Sequence, residues 1–97
     1  MAIKMHRSSG NVFRDLGFPA EEAENLRVRA DLMIALSRLI RARGLTQAAA
    51  ARLFGVSQPR VSDLVRGKIG RFSVDTLIAM LGNAGVHVEI TTKRGVA

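Results

Sequence analysis

Apolar side chains in the middle of the chain recur with the spacing of an amphipathic helix. In the stretch 20–43 they occur at Leu26, Ala30, Met33 and Ile40. Such spacing gathers apolar side chains on one face of an α-helix. Glutamates open the stretch, arginines close it and Gly44 follows it, which complements the helix dipole and suits a helix end. The pattern predicts one long helix from residue 19 or 20 to residue 43.

Three shorter helices are predicted after it, each beginning at a hydroxyl side chain. Thr46, Ser57 and Ser73 are of the residue types that cap helix N-termini, because their oxygen accepts a hydrogen bond from an otherwise unpaired amide. Apolar residues in helical spacing follow each of them. The pattern predicts helices over 47–54, from 58 to 65 or 66, and from 74 onwards.

The end of the chain changes to a period of two. Val86, Val88 and Ile90 alternate with polar residues, which is typical of a β-strand. A single strand leaves its backbone groups without ladder partners, so it needs another strand. That strand is either the same segment of a second copy or the segment Ala2–Met5, and we favour the second copy.

These elements predict a mainly α protein with four main helices and a short C-terminal β-strand paired across a dimer. The length of 97 residues, 47% of them hydrophobic, fits one domain with one core. We divide the chain into an N-terminal arm and short turn at 1–18, a helical domain at 19–85 and a strand and tail at 86–97. We interpret residues 1–11 as a flexible arm or a short edge strand.

The charge of the chain favours a polyanionic partner. The formal net charge is +7, and twelve of the fifteen basic residues are arginines. Arginine suits bidentate contacts with phosphates and guanine edges, and such contacts release counterions from nucleic acid. Charge by itself is weak evidence, because ribosomal and membrane-surface proteins share it.

Several kinds of site are excluded by the residues present. The chain has no cysteine, and His6 and His87 are its only histidines. Disulfides and thiolate metal sites are therefore impossible, and we expect no metal and no cofactor. No apolar run reaches the roughly 18–20 residues of a membrane span, and the N-terminus lacks a signal-peptide pattern. We expect a cytoplasmic protein without membrane contact.

No catalytic pattern is present. The serines lack a histidine or lysine in a triad-like arrangement, and neither a phosphate-binding nor a dinucleotide-binding glycine loop occurs. Glu21 and Glu22 are explained as charges at a helix start. We therefore expect no enzymatic activity.

The strongest functional signal is the segment 45–67. It contains two short predicted helices joined by a glycine-containing turn, a length that forces a sharp crossing between them. Apolar residues occur where this unit would contact the rest of the domain. The unit at 46–66 therefore matches a helix-turn-helix, and the helix beginning near Ser57 presents polar side chains outward.

This segment resembles the helix-turn-helix of the XRE, or lambda-repressor-like, family. The matching positions are Thr46-Gln47, Ala50-Ala51, Gly55-Val56-Ser57-Gln58, Val61-Ser62 and Arg66-Gly67-Lys68. The resemblance covers about residues 32–84. Further similarity, to the short HigA-like antitoxins of toxin–antitoxin pairs, lies in Gly10-Asn11-Val12-Phe13, in Asp15-Leu16-Gly17, in Ser57-Gln58-Pro59-Arg60-Val61-Ser62 and in the closing strand.

The resemblance implies roles for matching positions, because the start of the third helix meets base edges in such complexes. The residues expected to contact bases are Gln58, Pro59, Arg60, Ser62 and Asp63. Those expected to contact phosphates are Gln47, Ser57, Arg66, Lys68 and Arg71. The residues expected at the dimer contact are Val86, Val88 and Ile90. Proline departs from the usual polar residue on this face and leaves an apolar contact there. The arginines of the long helix, among them Arg29 and Arg38, are expected to be solvated.

The function implied is that of a repressor which binds an operator in double-stranded DNA as a homodimer. The narrower resemblance implies an antitoxin that binds a RelE/HigB-like toxin and represses its own operon. Three alternatives remain open. They are a stand-alone phage-type repressor, an interaction module that mainly neutralises a toxin, and a non-specific nucleic-acid binder.

Overall fold

The structure is a computed structural model, and it describes residues 2–6 and 12–93. This part of the chain contains five α-helices and two short strands. The elements are β1 (Ala2–His6), α1 (Val12–Asp15), α2 (Ala20–Ala42), α3 (Gln47–Phe54), α4 (Gln58–Val65), α5 (Val74–Asn83) and β2 (His87–Thr91), with a 3₁₀ turn at Ile69–Arg71. The predicted turn at 12–18 thus contains a four-residue helix. The interpretation of residues 7–11 as part of an arm lies outside the described residues.

The predicted helices and their caps are confirmed. The side-chain oxygens of Thr46, Ser57 and Ser73 each accept a hydrogen bond from the amide three residues further on, at 3.1, 3.3 and 3.1 Å. Each bond satisfies one of the amides that a helix start leaves unpaired. None of the helices in residues 12–93 combines the length and the hydropathy that a membrane crossing requires.

One hydrophobic core lies between α2, α3, α4 and α5. Its largest fully buried side chains are Leu32, Leu36, Phe54, Val61, Leu64, Leu77, Met80 and Leu81. Three of them belong to the helix-turn-helix unit, one at the end of α3 and two in α4. Because burial of such side chains is the main stabilising contribution to a small domain, the core holds α4 in one orientation. The outer face of α4 is left for other contacts.

The C-terminal strand is paired within the chain. β1 and β2 form a parallel two-stranded sheet in which Ala2 is opposite His87 and His6 is opposite Thr91. Our preference for a second copy as the partner of this strand is therefore wrong for this ladder, and the alternative segment at the N-terminus provides it. Parallel strands need a long crossover connection, and the whole helical domain is that crossover.

The pairing changes the prediction for the dimer contact. Val86 is only 4% exposed and belongs to the core, and Val88 is half-buried against it. Val86 is thus a core residue and not a surface for a second copy, because β2 follows α5 directly and packs against it. Ile90, 57% exposed, is the one predicted dimer residue that remains open to solvent.

Gly55, in the turn between α3 and α4, is required by the backbone. Its φ is +70°, and a Cβ there would lie 2.8 Å from Nδ2 of Asn83, the atom that donates to the carbonyl of Phe54 at 2.9 Å. Gly55→Ala is therefore expected to lower the free energy of unfolding by more than about 1 kcal/mol, measured by urea denaturation.

The matched control for that substitution is Gly70→Ala. Gly70 does not have a positive φ, and a Cβ there would meet no atom within 4 Å. We expect a change within about 0.5 kcal/mol, as is usual for exposed positions. Equal losses at the two glycines would show that the turn does not depend on the left-handed conformation.

Candidate nucleic-acid interface

The turn between α3 and α4 sets the direction of α4. Gly55 caps α3 in the left-handed conformation, and the amide of Val56 donates to the carbonyl of Ala51 at 3.0 Å. Ser57 then caps α4, so only three residues separate the helices. Ala50 and Ala51 are buried, and small side chains allow the two helices to approach each other closely. The predicted helix-turn-helix is thus present.

The outer face of α4 carries most of the predicted contact residues. Val61 and Leu64 point into the core, and the remaining positions are wholly or partly open to solvent. The exposed residues of α4 and its C-terminal cap are Gln58, Pro59, Arg60, Val65 and Arg66. Ser62 is half-buried. At the N-terminal end of α4, the amide side chain of Gln58 and the ring of Pro59 are therefore open to solvent.

Arg60 is bound to the loop that follows α4. Its Nη1 donates to the carbonyl of Arg71 at 2.8 Å, and its Cζ lies 5.6 Å from the ring centroid of Phe72. The ring of Phe72 is buried and gives the guanidinium a fixed platform for a cation–π contact. A base contact by Arg60 would require this side chain to leave the loop, which the sequence did not predict.

A second arginine also binds the loop that follows α4. Nη1 of Arg29, in α2, donates to the carbonyls of Ile69 and Phe72 at 3.2 and 3.3 Å, and its Nε donates to Oδ1 of Asn25 at 2.7 Å. We expected Arg29 to be solvated. No local signal could have shown otherwise, because its loop partners are about 40 residues away along the chain.

Asp63 makes ion pairs with cations of its own chain. Its carboxylate lies 3.6 Å from Nζ of Lys68 and 3.5 Å from Nη1 of Arg71, and its side chain is only 17% exposed. A cytosine amino group would have to displace these two cations to reach it. The base contact expected of Asp63 stays a prediction, and it competes with these two ion pairs.

The residues predicted to contact phosphates are all at the surface. Gln47 begins α3, Ser57 precedes α4, and Arg66, Lys68 and Arg71 follow α4 within a few residues of one another. The Oγ of Ser57 is already used as a cap. The three cations form a basic edge beside the outer face of α4, which is the arrangement that positions a helix against a phosphate backbone.

Within residues 12–93, no three histidine, aspartate or glutamate side chains come together in a way that could hold a metal ion. The polar side chains on the outer face of α4 can form hydrogen bonds and ion pairs.

Comparison with known proteins agrees with this geometry. A family model described as a helix-turn-helix domain matches residues 12–93. A solved structure named as an XRE family transcriptional regulator is similar to this chain, with 37% identity and a TM-score of 0.69 over 75% of this chain and 82% of that one. A search of curated proteins finds no match. The chain belongs to the XRE family of helix-turn-helix proteins, and it is a DNA-binding transcriptional regulator.

Proposed function

We propose that this regulator is a sequence-specific repressor that inserts the N-terminal end of α4 into the major groove of its operator. The observation that carries the proposal is the open position of Gln58 and Pro59 ahead of a basic edge formed by Arg66, Lys68 and Arg71. A helix in this position meets base edges with its first residues, and cations beside it meet the flanking phosphates.

Individual side chains on α4 suit different base edges. Gln58 can form two hydrogen bonds with N6 and N7 of adenine, and Pro59 can contact the methyl group of thymine. Ser62, one turn further along, can donate to or accept from either kind of base. We assign a contact with the phosphate backbone to Gln47, which is exposed at the start of α3. We assign base recognition to Gln58, Pro59 and Ser62.

We assign Arg60 a supporting role within this site. Its contacts with the carbonyl of Arg71 and the ring of Phe72 hold the loop that carries two of the phosphate-binding cations. Asp63 acts on the same loop by pairing with Lys68 and Arg71. This role replaces the base contact that the sequence suggested for Arg60, because the guanidinium is already bound.

We propose that two copies bind a near-palindromic operator as a homodimer. Two-fold symmetric proteins of this class bind half-sites about 34–36 Å apart, one turn of the double helix. The resemblance to HigA-like antitoxins supports a narrower proposal, an antitoxin that binds a RelE/HigB-like toxin and represses its own operon. Co-expression with the adjacent reading frame tests this narrower proposal. A stable complex supports it, whereas no complex favours a stand-alone repressor.

The test of DNA recognition is selection of bound duplexes from a random pool, followed by binding measurements on variants. Gln58→Ala is expected to cost about 1–3 kcal/mol on the selected duplex and to relax the preference at one base pair of each half-site. Arg60→Ala is expected to weaken selected and scrambled duplexes by similar factors, because it disturbs cations that bind phosphates of any sequence.

Two outcomes would contradict these assignments. If no sequence is enriched and scrambled duplexes bind equally well, the protein is a non-specific binder and α4 is not a reading helix. If Arg60→Ala relaxes the preference at one base pair, Arg60 contacts a base in the complex and leaves the loop to do so. Circular dichroism and thermal melting of each variant control for loss of the fold.

A further inference from the structure

An open apolar groove lies at the C-terminal end of α4, and Arg60 is not among the residues that line it. Its volume is about 630 Å³, and α2, α4 and the α4–α5 connection line it. Its apolar side chains include Met33, Ile34, Leu64 and Val65. Ile34 is 49% exposed, although it lies near the middle of the longest helix. Exposed apolar surface of this kind commonly marks an interaction site.

Exposed apolar side chains are concentrated near this groove. In the part of the chain where side chains are described, six large hydrophobic residues are exposed. Three lie in the turn 12–18 and two line the groove, and only Ile90 lies elsewhere. Phe13, in the same turn, lines the groove of its own chain. We call residues 12–18 the α1 turn.

The groove is basic, and the α1 turn carries one acidic side chain, Asp15, next to one basic side chain, Arg14. Asp15 lies next to Leu16, which is 69% exposed, whereas Arg38 and Arg41 line the groove. Within residues 12–93, none of Asp15, Arg38 and Arg41 makes an ion pair. The α1 turn thus presents an apolar side chain with a carboxylate beside it, and the groove presents apolar walls with guanidinium groups beside them.

The α1 turn does not fill the groove of its own chain. Phe13 lines that groove and packs edge-on against Phe18 at 6.2 Å between centroids, and Val12 and Leu16 stay exposed. A second copy can satisfy both surfaces at once, because a two-fold axis presents each α1 turn to the partner's groove. An isologous contact requires such a pair of complementary surfaces on one chain.

We propose that the groove is the dimer surface, and that Leu16 of one copy enters the groove of the other with Asp15 near Arg38 and Arg41. The inference rests on the proposed homodimer and changes its location from the strand edge to the groove. Among residues 86–93, Ile90 is the one exposed large apolar side chain, which is a small apolar surface for a dimer. The groove lies at the C-terminal end of α4, so dimer formation leaves Gln58, at the N-terminal end, open to DNA.

Exchange of charges between two variants tests the contact. One variant carries Asp15→Arg, and the other carries both Arg38→Asp and Arg41→Asp. A dimer of either variant has like charges on both sides of each contact. We expect each variant by itself to show a dimer dissociation constant raised at least about tenfold, because like charges at an interface are strongly unfavourable. In a mixture of the two variants every contact joins opposite charges again, so heterodimers are expected to form.

The measurement is sedimentation velocity without DNA at several protein concentrations, so it does not depend on operator binding. Ile34→Asp is expected to be monomeric where the unmodified protein is dimeric, and the matched control Ile90→Asp is expected to remain dimeric. The proposal is overturned if the unmodified protein is monomeric, if the mixture forms no heterodimer, or if Ile90→Asp alone dissociates the dimer. If any of these outcomes is found and the protein still binds its operator, the proposed dimer surface is wrong and the proposed repressor function is retained.

Discussion

Raising the salt concentration from about 50 to about 200 mM is expected to weaken operator binding by about a thousandfold. Arg66, Lys68 and Arg71 are the cations beside the outer face of α4, and a dimer brings two sets of them to the DNA. Each phosphate contact releases condensed counterions, so about six contacts predict a slope near −5 in a plot of log affinity against log salt. The entropy gained from this release of counterions becomes smaller as salt is added.

The measurement is fluorescence anisotropy of the selected duplex across that salt range. Lys68→Ala removes one contact from each copy, so we expect the slope to become less steep by about 2 and scrambled duplexes to be affected similarly. The matched control is Arg52→Ala, which removes an exposed arginine of α3 outside the predicted set. A slope unchanged by Lys68→Ala, or changed equally by Arg52→Ala, would refute the assignment of the basic edge.

Replacing Phe54 by alanine is expected to lower the free energy of unfolding by about 3–5 kcal/mol. The side chain is completely buried at the end of α3, among the residues that hold the helix-turn-helix unit on the core. Its removal exchanges an aromatic ring for a cavity, and the surrounding helices can close that cavity only in part. Such a loss is a large part of the stability of a domain of this size.

Urea denaturation at several protein concentrations measures the effect and separates it from that of dimer dissociation. The control is Leu53→Ala, in the same helix and only half-buried, for which we expect a loss of about 1 kcal/mol. If the two variants lose equal stability, Phe54 is not a central contact of the core. If Phe54→Ala retains its stability but loses DNA binding, the residue acts on the direction of α4 alone.

Local signals were sufficient for the helices and for the location of the DNA-binding unit. Thr46, Ser57 and Ser73 cap helices as predicted, because a cap involves an oxygen and an amide only three residues apart. The spacing of apolar residues likewise depends on the geometry of a single helix. The helix-turn-helix at 46–66 combines these two kinds of local information, and its residue types also support the family resemblance.

Such local signals could not predict contacts between distant parts of the chain. An alternating strand requires a partner but does not specify which, and the observed partner of β2 is at the other end of the chain. Arg60 and Asp63 are polar residues on the outer face of α4, and such residues can equally contact DNA or a neighbouring loop. The position of the loop, held by Arg29 from α2, is what supports the proposed contacts with the loop.

The amino-acid sequence by itself thus determined the helices, their ends, the basic character and the helix-turn-helix unit, because each depends on residue types and interactions within short segments. The tertiary structure decided how the strands pair, which polar side chains of α4 remain available, and that Val86 is core and not interface. Those outcomes depend on which surfaces the folded chain brings together, and that information is distributed over the whole sequence.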